Sequence, residues 1–155
     1  MAGSLALAAG CFVTNGAAQE TAASPAGRWV QETPRCEGTT CAPIYDIVPC
    51  GKDWCGIEVK GGQECGRIAL RLSPDAHPGR PSFTGRFERA PGTEAYSVFA
   101  SVLAPSKLNA QPASPRLIIY GNTGGPLEML RRTWPLNIEM ARLGDAQCKA
   151  DAKTS

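Results

Sequence analysis

The sequence predicts an all-β domain, a small antiparallel meander that closes into a lipocalin-like barrel of about eight strands. Thirteen prolines and seventeen glycines interrupt the 155-residue chain, and such punctuation is typical of short strands and turns rather than helices. Short sequential strands with tight connections favour a meander, and closure removes the exposed edges of an open sheet. The length suits one domain.

Eight segments are predicted as strands because β-branched and aromatic residues are concentrated in them. They cover residues 27–32, 42–48, 54–60, 66–72, 82–89, 95–103, 115–121 and 127–134. In the fourth segment Ile68, Leu70 and Leu72 alternate with charged or small residues, as a half-buried antiparallel strand requires. After Pro135 the apolar residues approach helical spacing, which predicts a short C-terminal helix or tail.

The first residues indicate export. No charged residue occurs before Glu20, and an apolar stretch from Leu5 to Val13 precedes small residues that suit cleavage after Ala18. A basic n-region is missing, as in a leader shortened at its start, and a disordered Ala-rich leader is the alternative. The predicted organisation is a signal peptide over 1–18, a linker over 19–26, a barrel domain with its tail over 27–149 and a disordered end over 150–155.

A second processing route is visible in the same leader. Residues 7–11, LAAGC, resemble a bacterial lipoprotein box in which Cys11 is the lipidated residue. A spanning helix is not expected, because the apolar run is much shorter than the ~20 residues that a bilayer requires. The protein is therefore expected to be periplasmic or secreted, with a lipid anchor at Cys11 as the alternative.

The cysteine count supports export. Removal or lipidation of Cys11 leaves an even set, which suits disulfides in an oxidising compartment. The remaining cysteines are Cys36, Cys41, Cys50, Cys55, Cys65 and Cys148. Zinc is the competing use, but the short cysteine spacings lie at the edge of those in zinc sites and His77 is the chain's one histidine. We therefore expect disulfides, no metal and no cofactor.

The window from Cys50 to Gly66 predicts a disulfide-braced hairpin. Strand-forming runs flank the turn residues 51–53, so Cys50 and Cys55 are expected to face each other at about 4.5 Å between Cα atoms. The same reasoning pairs Cys36 with Cys41. Cys65 is then left to pair with Cys148. Six cysteines allow many pairings, so the connectivity stays open at this stage.

Two resemblances rest on short motifs at the ends and in the middle of the domain. Gly27-Arg28-Trp29 and the run Arg131-Arg132-Thr133-Trp134 resemble the two ends of lipocalin-like barrels, and the resemblance implies that Trp29 packs against an arginine of the last strand. The segments IVPCGKDWCGIEV and CGRIALRL resemble a family of small exported bacterial proteins, domain of unknown function 2147. This resemblance implies a fold and a compartment but no activity.

Catalytic patterns are sparse. His77 lies in a turn-rich loop, and general-base chemistry would need a nucleophile within hydrogen-bond reach. The carboxylates Asp46, Asp53, Glu58 and Glu64 form either a pair or a solvated outer face. Trp54 and Tyr120 are the weak candidates for ligand contact, with ordinary packing as the alternative. We expect no enzymatic activity.

Two functions fit such a domain. The first is a structural or interaction role for an envelope protein whose barrel is filled by side chains, and the second is a binding module for a small apolar or amphipathic ligand in the barrel mouth. A net charge of +2 excludes a nucleic-acid footprint. The residues expected to point inward are Ile44, Val48, Ile57, Ile68, Leu70, Phe83, Phe87, Phe99, Leu117 and Ile119.

Overall fold

Eight antiparallel strands form a closed barrel in which each strand pairs with the next and the last pairs with the first. The computed structural model describes residues 24–32, 42–75, 82–105, 114–124 and 136–150. The strands are β1 (Gly27–Gln31), β2 (Ile44–Cys50), β3 (Asp53–Lys60), β4 (Glu64–Pro74), β5 (Ser82–Phe87), β6 (Tyr96–Leu103), β7 (Arg116–Asn122) and β8 (Leu136–Gly144). The predicted fold class, an all-β meander barrel, is confirmed.

The last strand differs from the prediction. The segment 127–134 lies outside the described residues, and the eighth strand, β8, begins at Leu136, where a short helix was expected. The helix prediction is wrong because the burial of Leu136, Ile138 and Met140 alternates with that of their neighbours, which is the period of a strand. β8 pairs with both β7 and β1. The segment that follows it, residues 145–150, forms the tail.

The barrel interior is filled by the protein's own side chains. They form one buried cluster of Trp29, Tyr45, Ile47, Ala69, Leu70, Leu72, Phe83, Phe87, Val98, Ala100, Val102, Leu117, Ile119, Leu136, Ile138 and Met140. The Tyr45 and Phe87 rings meet edge to face with centroids 5.9 Å apart, a favourable aromatic geometry. Seven of the eight strands contribute buried side chains to this cluster, and β3 contributes the partly buried Trp54, so the interior is a packed core.

Trp29 lies on β1, the strand that closes the barrel by pairing with β8. Its side chain is buried, its indole N–H donates to the carbonyl oxygen of Pro25 at 2.8 Å, and its register partner on β8 is Arg142. Arg131 and Arg132, the arginines predicted to meet it, lie outside the described residues, as does Trp134, the other residue predicted to close the barrel. The arginine partner therefore stays a prediction.

Truncation of Trp29 to alanine is expected to lower the free energy of unfolding by ~3–5 kcal/mol, because it opens a cavity in the core and removes the indole donor. Urea denaturation followed by circular dichroism measures this loss. Leu143→Ala is the matched control, since the Leu143 side chain is 49% exposed and its truncation should cost less than ~0.5 kcal/mol. Equal losses in the two variants would contradict a core role for Trp29.

A second apolar cluster lies on the outside of the barrel. It consists of buried Ile44, Val48, Ile57, Val59 and Cys148, with Val30, Ile68, Ala146 and Ala150 packed against it. Tyr45 and Ile47 belong to the interior cluster, so their neighbours Ile44 and Val48 must point outward. β2 is thus buried on both faces.

Five of the predicted inward positions are therefore wrong, and five are confirmed. Ile44, Val48, Ile57 and Ile68 belong to the outer cluster, and Phe99 is exposed. Ile68 and Leu70 lie on opposite sides because the β3–β4 register shifts between Gly56 and Ile57. At this shift β4 carries one extra residue, Ala69. The confirmed positions are Leu70, Phe83, Phe87, Leu117 and Ile119.

The tail, which we call the return segment (residues 145–150), folds back over this outer cluster. Ala146, Cys148 and Ala150 contribute to it, and a disulfide joins Cys148 to Cys65 on β4. The cluster draws on β1, β2, β3 and β4, so the return segment covers the wall that these four strands form.

A second disulfide joins Cys50 and Cys55 across the β2–β3 hairpin. The two cysteines are not directly opposed, because the turn is Gly51-Lys52 and the register pairs Cys50 with Asp53 and Val48 with Cys55. They are diagonal neighbours with Cα atoms 5.8 Å apart, a distance that strand twist allows. Cys36 and Cys41 lie outside the described residues.

Candidate functional site

A buried ion pair anchors the return segment to the barrel. The guanidinium of Arg28 donates to both carboxylate oxygens of Asp46, with Nε to Oδ1 at 2.7 Å and Nη2 to Oδ2 at 2.9 Å. The backbone N–H groups of Gln147 and Cys148 both donate to Asp46 Oδ2 at 2.8 Å. Asp46 therefore joins β1 to the return segment.

The environment of Asp46 keeps it ionised. Burial opposes the charge, but the hydrogen bonds from Arg28 and from the N–H groups of Cys148 and Gln147 outweigh burial and hold the pKa of Asp46 below its ordinary value. The same carboxylate raises the pKa of Arg28. Of the two alternatives for Asp46, the solvated outer face is wrong, because the return segment covers this residue and leaves it fully buried.

A groove of about 610 Å³ lies on the barrel wall beside this anchored segment. Seven consecutive residues of β4, from Cys65 to Arg71, form one side of it. The remaining lining residues are Ile57, Arg86, Glu88, Ala95, Lys149 and Ala150. The groove thus follows the edge of one strand and ends against the return segment.

The groove exists because β5 pairs with only part of β4. The β4–β5 register begins at the pair Leu70 and Phe87 and continues towards Pro74. One more backbone hydrogen bond runs from Glu88 N to Ala69 O at 2.8 Å. Within the part of the chain that the structure describes, no strand is in register with residues 65–68 on that side. These residues form an open strand edge.

Arg67 spans the gap beside this edge. Its guanidinium donates to a carboxylate oxygen of Glu58 at 2.9 Å, to one of Glu88 at 2.8 Å and to the Glu88 carbonyl oxygen at 2.7 Å. Its Nε is buried and has no hydrogen-bond partner among the described residues. A buried N–H donor without a partner calls for an explanation, and this one lies at the groove.

Positive charge dominates the groove lining. The lining contains four basic side chains and one carboxylate, that of Glu88. The basic residues are Arg67, Arg71, Arg86 and Lys149. Arg71 and Arg86 are directly opposite each other on β4 and β5.

Acid–base chemistry is not suggested by the nearby phenol. Burial and the charge of Glu58 raise the pKa of Tyr45, Arg67 and Arg89 oppose the shift, and the resulting pKa is about 12. The phenol is therefore protonated at neutral pH and cannot serve as a general base there. Among the described residues no group of three or more His, Cys, Asp or Glu side chains is placed to hold a metal ion.

The two aromatic residues predicted to contact a ligand lie elsewhere. Trp54 is half-buried and packs against the interior cluster. Tyr120 is half-buried on β7, in register with Phe99 and Asn137. Neither belongs to the groove lining.

The basic residues of the groove could not be recognised as a cluster from the sequence. Arg67 and Arg71 alternate with apolar residues on β4 and were therefore assigned to solvent. One available signal was the cross-strand position of Arg86, which becomes visible only once the β4–β5 register is known.

Comparisons with known proteins give no further identification, because no family model, no curated protein and no solved structure matches the chain. The described part of the chain contains no helix of the length and apolar character needed to cross a membrane.

Proposed function

We propose that this chain is an exported, non-enzymatic envelope protein whose filled barrel is a scaffold for an interaction on its outer wall. The single observation that carries this proposal is the interior cluster, in which seven of the eight strands place buried side chains and β3 places the partly buried Trp54. A barrel of about eight strands has room either for such a core or for one small ligand. The core favours the first use.

The disulfides support the compartment. The two disulfides of the described chain indicate an oxidising environment. We propose a periplasmic or secreted location, with lipid anchoring at Cys11 as the alternative. We also propose kinship with the domain of unknown function 2147 type, which rests on the motifs quoted above. In support, Gly27-Arg28-Trp29 opens β1.

The rival function is a binding module that holds a small apolar ligand in the barrel mouth. Trp54 favours it, since this side chain is only partly buried beside the interior cluster. The rival requires space inside the barrel, whereas the proposed interaction role does not. A probe of interior space therefore separates the two functions.

The test titrates the protein with the fluorescent apolar probe N-phenyl-1-naphthylamine. We expect no saturable binding to the wild-type protein, because the interior is already packed. Phe87→Ala removes a fully buried ring and should create a dry cavity of benzene size, so that added benzene raises the thermal unfolding temperature of this variant and not that of the wild-type protein. Phe99→Ala is the matched control, since Phe99 is exposed and its removal opens no interior space. Saturable one-to-one binding to the wild-type protein, weakened by Trp54→Ala, would establish the rival function.

A further inference from the structure

We propose that the groove beside β4 docks an extended acidic segment of a partner protein, which pairs with β4 as an added strand. This inference rests on the proposed interaction role and specifies the partner's chemistry. Three observations carry it: the open strand edge, the basic lining and the unpartnered Nε of Arg67.

The strand edge sets the shape of the partner. The groove follows consecutive residues 65–71 of β4, while β5 is in register only from Leu70 onward. An open edge presents backbone N–H and C=O groups that pair with another chain. Strand addition satisfies these groups with a main-chain ladder, and pockets beside the edge select alternate side chains.

The lining sets the charge of the partner. Arg71 and Arg86 are opposed across the β4–β5 pair, and Lys149 of the return segment joins them at the groove. Carboxylates on every second residue of an added strand would lie on one face. Such a face complements the three basic side chains, which favours an acidic segment.

The groove lining also includes apolar residues. Ile57, Ile68 and Ala95 are among them. Arg67, which lines the groove as well, has a buried Nε with no acceptor among the described residues. A peptide carbonyl is a suitable acceptor for this N–H, and alternating apolar and acidic residues match the two kinds of lining.

A small anion with an apolar tail is the competing occupant. It would use the basic side chains and the apolar lining, but it would not pair with the backbone groups of residues 65–68 that point away from β3, for which the described residues provide no strand partner. The length of open edge therefore favours a polypeptide. The experiment must distinguish backbone pairing from charge alone.

The probe is a fluorescein-labelled peptide of about seven residues that alternates valine and glutamate, long enough to span the open edge at ~3.4 Å per residue. Two isomers carry N-methyl groups on one or the other alternating set of amides, so they share composition and charge. We expect fluorescence anisotropy to show saturable binding of the parent peptide. One isomer should bind at least about tenfold more weakly and the other like the parent, because only one set of amides faces β4.

Protein variants test the charge. Arg86→Glu should weaken peptide binding about tenfold or more, because it places a carboxylate against the acidic face. Lys52→Glu is the matched control with the same charge change, since Lys52 lies in the exposed β2–β3 turn outside the groove. It should leave binding within about twofold. Circular dichroism verifies that both variants are folded.

Two results would overturn strand addition. Equal affinity of the two methylated isomers would show that charge alone binds the peptide, and the absence of saturable peptide binding would remove the partner class. The proposed scaffold function fails by a different result, saturable binding of the naphthylamine probe inside the wild-type barrel. The two failures are therefore distinguishable.

Discussion

Replacement of Asp46 by asparagine is expected to lower the free energy of unfolding by ~3–5 kcal/mol, because it leaves the buried guanidinium of Arg28 without its counter-charge. The neutral amide is also a weaker hydrogen-bond acceptor than the carboxylate for the N–H groups of Gln147 and Cys148. Urea denaturation at pH 7 measures the loss. Asp145→Asn is the matched control, since the Asp145 side chain is 98% exposed and its surface pair should contribute less than ~1 kcal/mol.

The effect of Asp46 depends on pH with a defined sign. Its pKa is lower in the folded protein than in the unfolded chain, so its stabilisation is present above the ordinary aspartate pKa of about 4. The stabilisation is lost as the pH falls through the lower folded value. The stability difference between the wild-type protein and Asp46→Asn should therefore shrink below about pH 4. A constant difference down to acid pH would contradict ionisation as its source.

The joint replacement of Cys65 and Cys148 by serine is expected to cost ~4.5 kcal/mol, because this disulfide closes a long loop and restricts the unfolded chain. The two cysteines are 83 residues apart, whereas Cys50 and Cys55 are separated by five. The matched replacement of Cys50 and Cys55 by serine should cost only ~2 kcal/mol. Denaturant unfolding of both double variants measures the difference.

The decisive result is which of the two double variants loses more free energy of unfolding. If the Cys50 and Cys55 variant were the less stable one, local geometry rather than loop closure would determine the contribution of these disulfides. The Cys65 and Cys148 variant should also bind the acidic peptide more weakly, because Lys149 is no longer held at the groove. Fluorescence anisotropy measures the loss of affinity. The near-ultraviolet circular dichroism signal, to which the buried Trp29 contributes, checks that the barrel structure is retained.

The sequence predicted the strand order well because the turns are chemically explicit. Gly51, Gly61, Gly62 and Gly92 all have positive φ, and each lies in a connection where left-handed backbone favours glycine. The hairpin disulfide followed from the same turns. The last strand escapes prediction because Ile138, Ala141 and Leu143 lie near helical spacing, which masks the strand period of Leu136, Ile138 and Met140.

Sidedness was harder to predict than strand position. Alternation identifies the buried face only when the other face meets water. In β2 the residues from Ile44 to Val48 are all buried, because the return segment covers the outer face. The sequence near β2 contains no pattern that predicts burial of its outer face by residues 145–150.

The candidate groove could not be predicted for a related reason. It depends on where β5 stops pairing with β4, and pairing length is a property of two strands rather than of either one. The register shift at Ile57 adds to this, since it moves Ile68 out of the barrel. Arg71 and Arg86 become neighbours only after both features are known.

The return segment also has a consequence for how the chain reaches its native state. Its contacts with Asp46 span about a hundred residues along the chain, and β8 must pair with β1 to close the barrel. Contacts of such large sequence separation slow folding, because their loop entropy is lost before the contacts form. A growing chain that still lacks residues 136–150 can form neither the contacts of the return segment with Asp46 nor the pairing of β8 with β1. We therefore expect the barrel to close only after residues 136–150 have been synthesised.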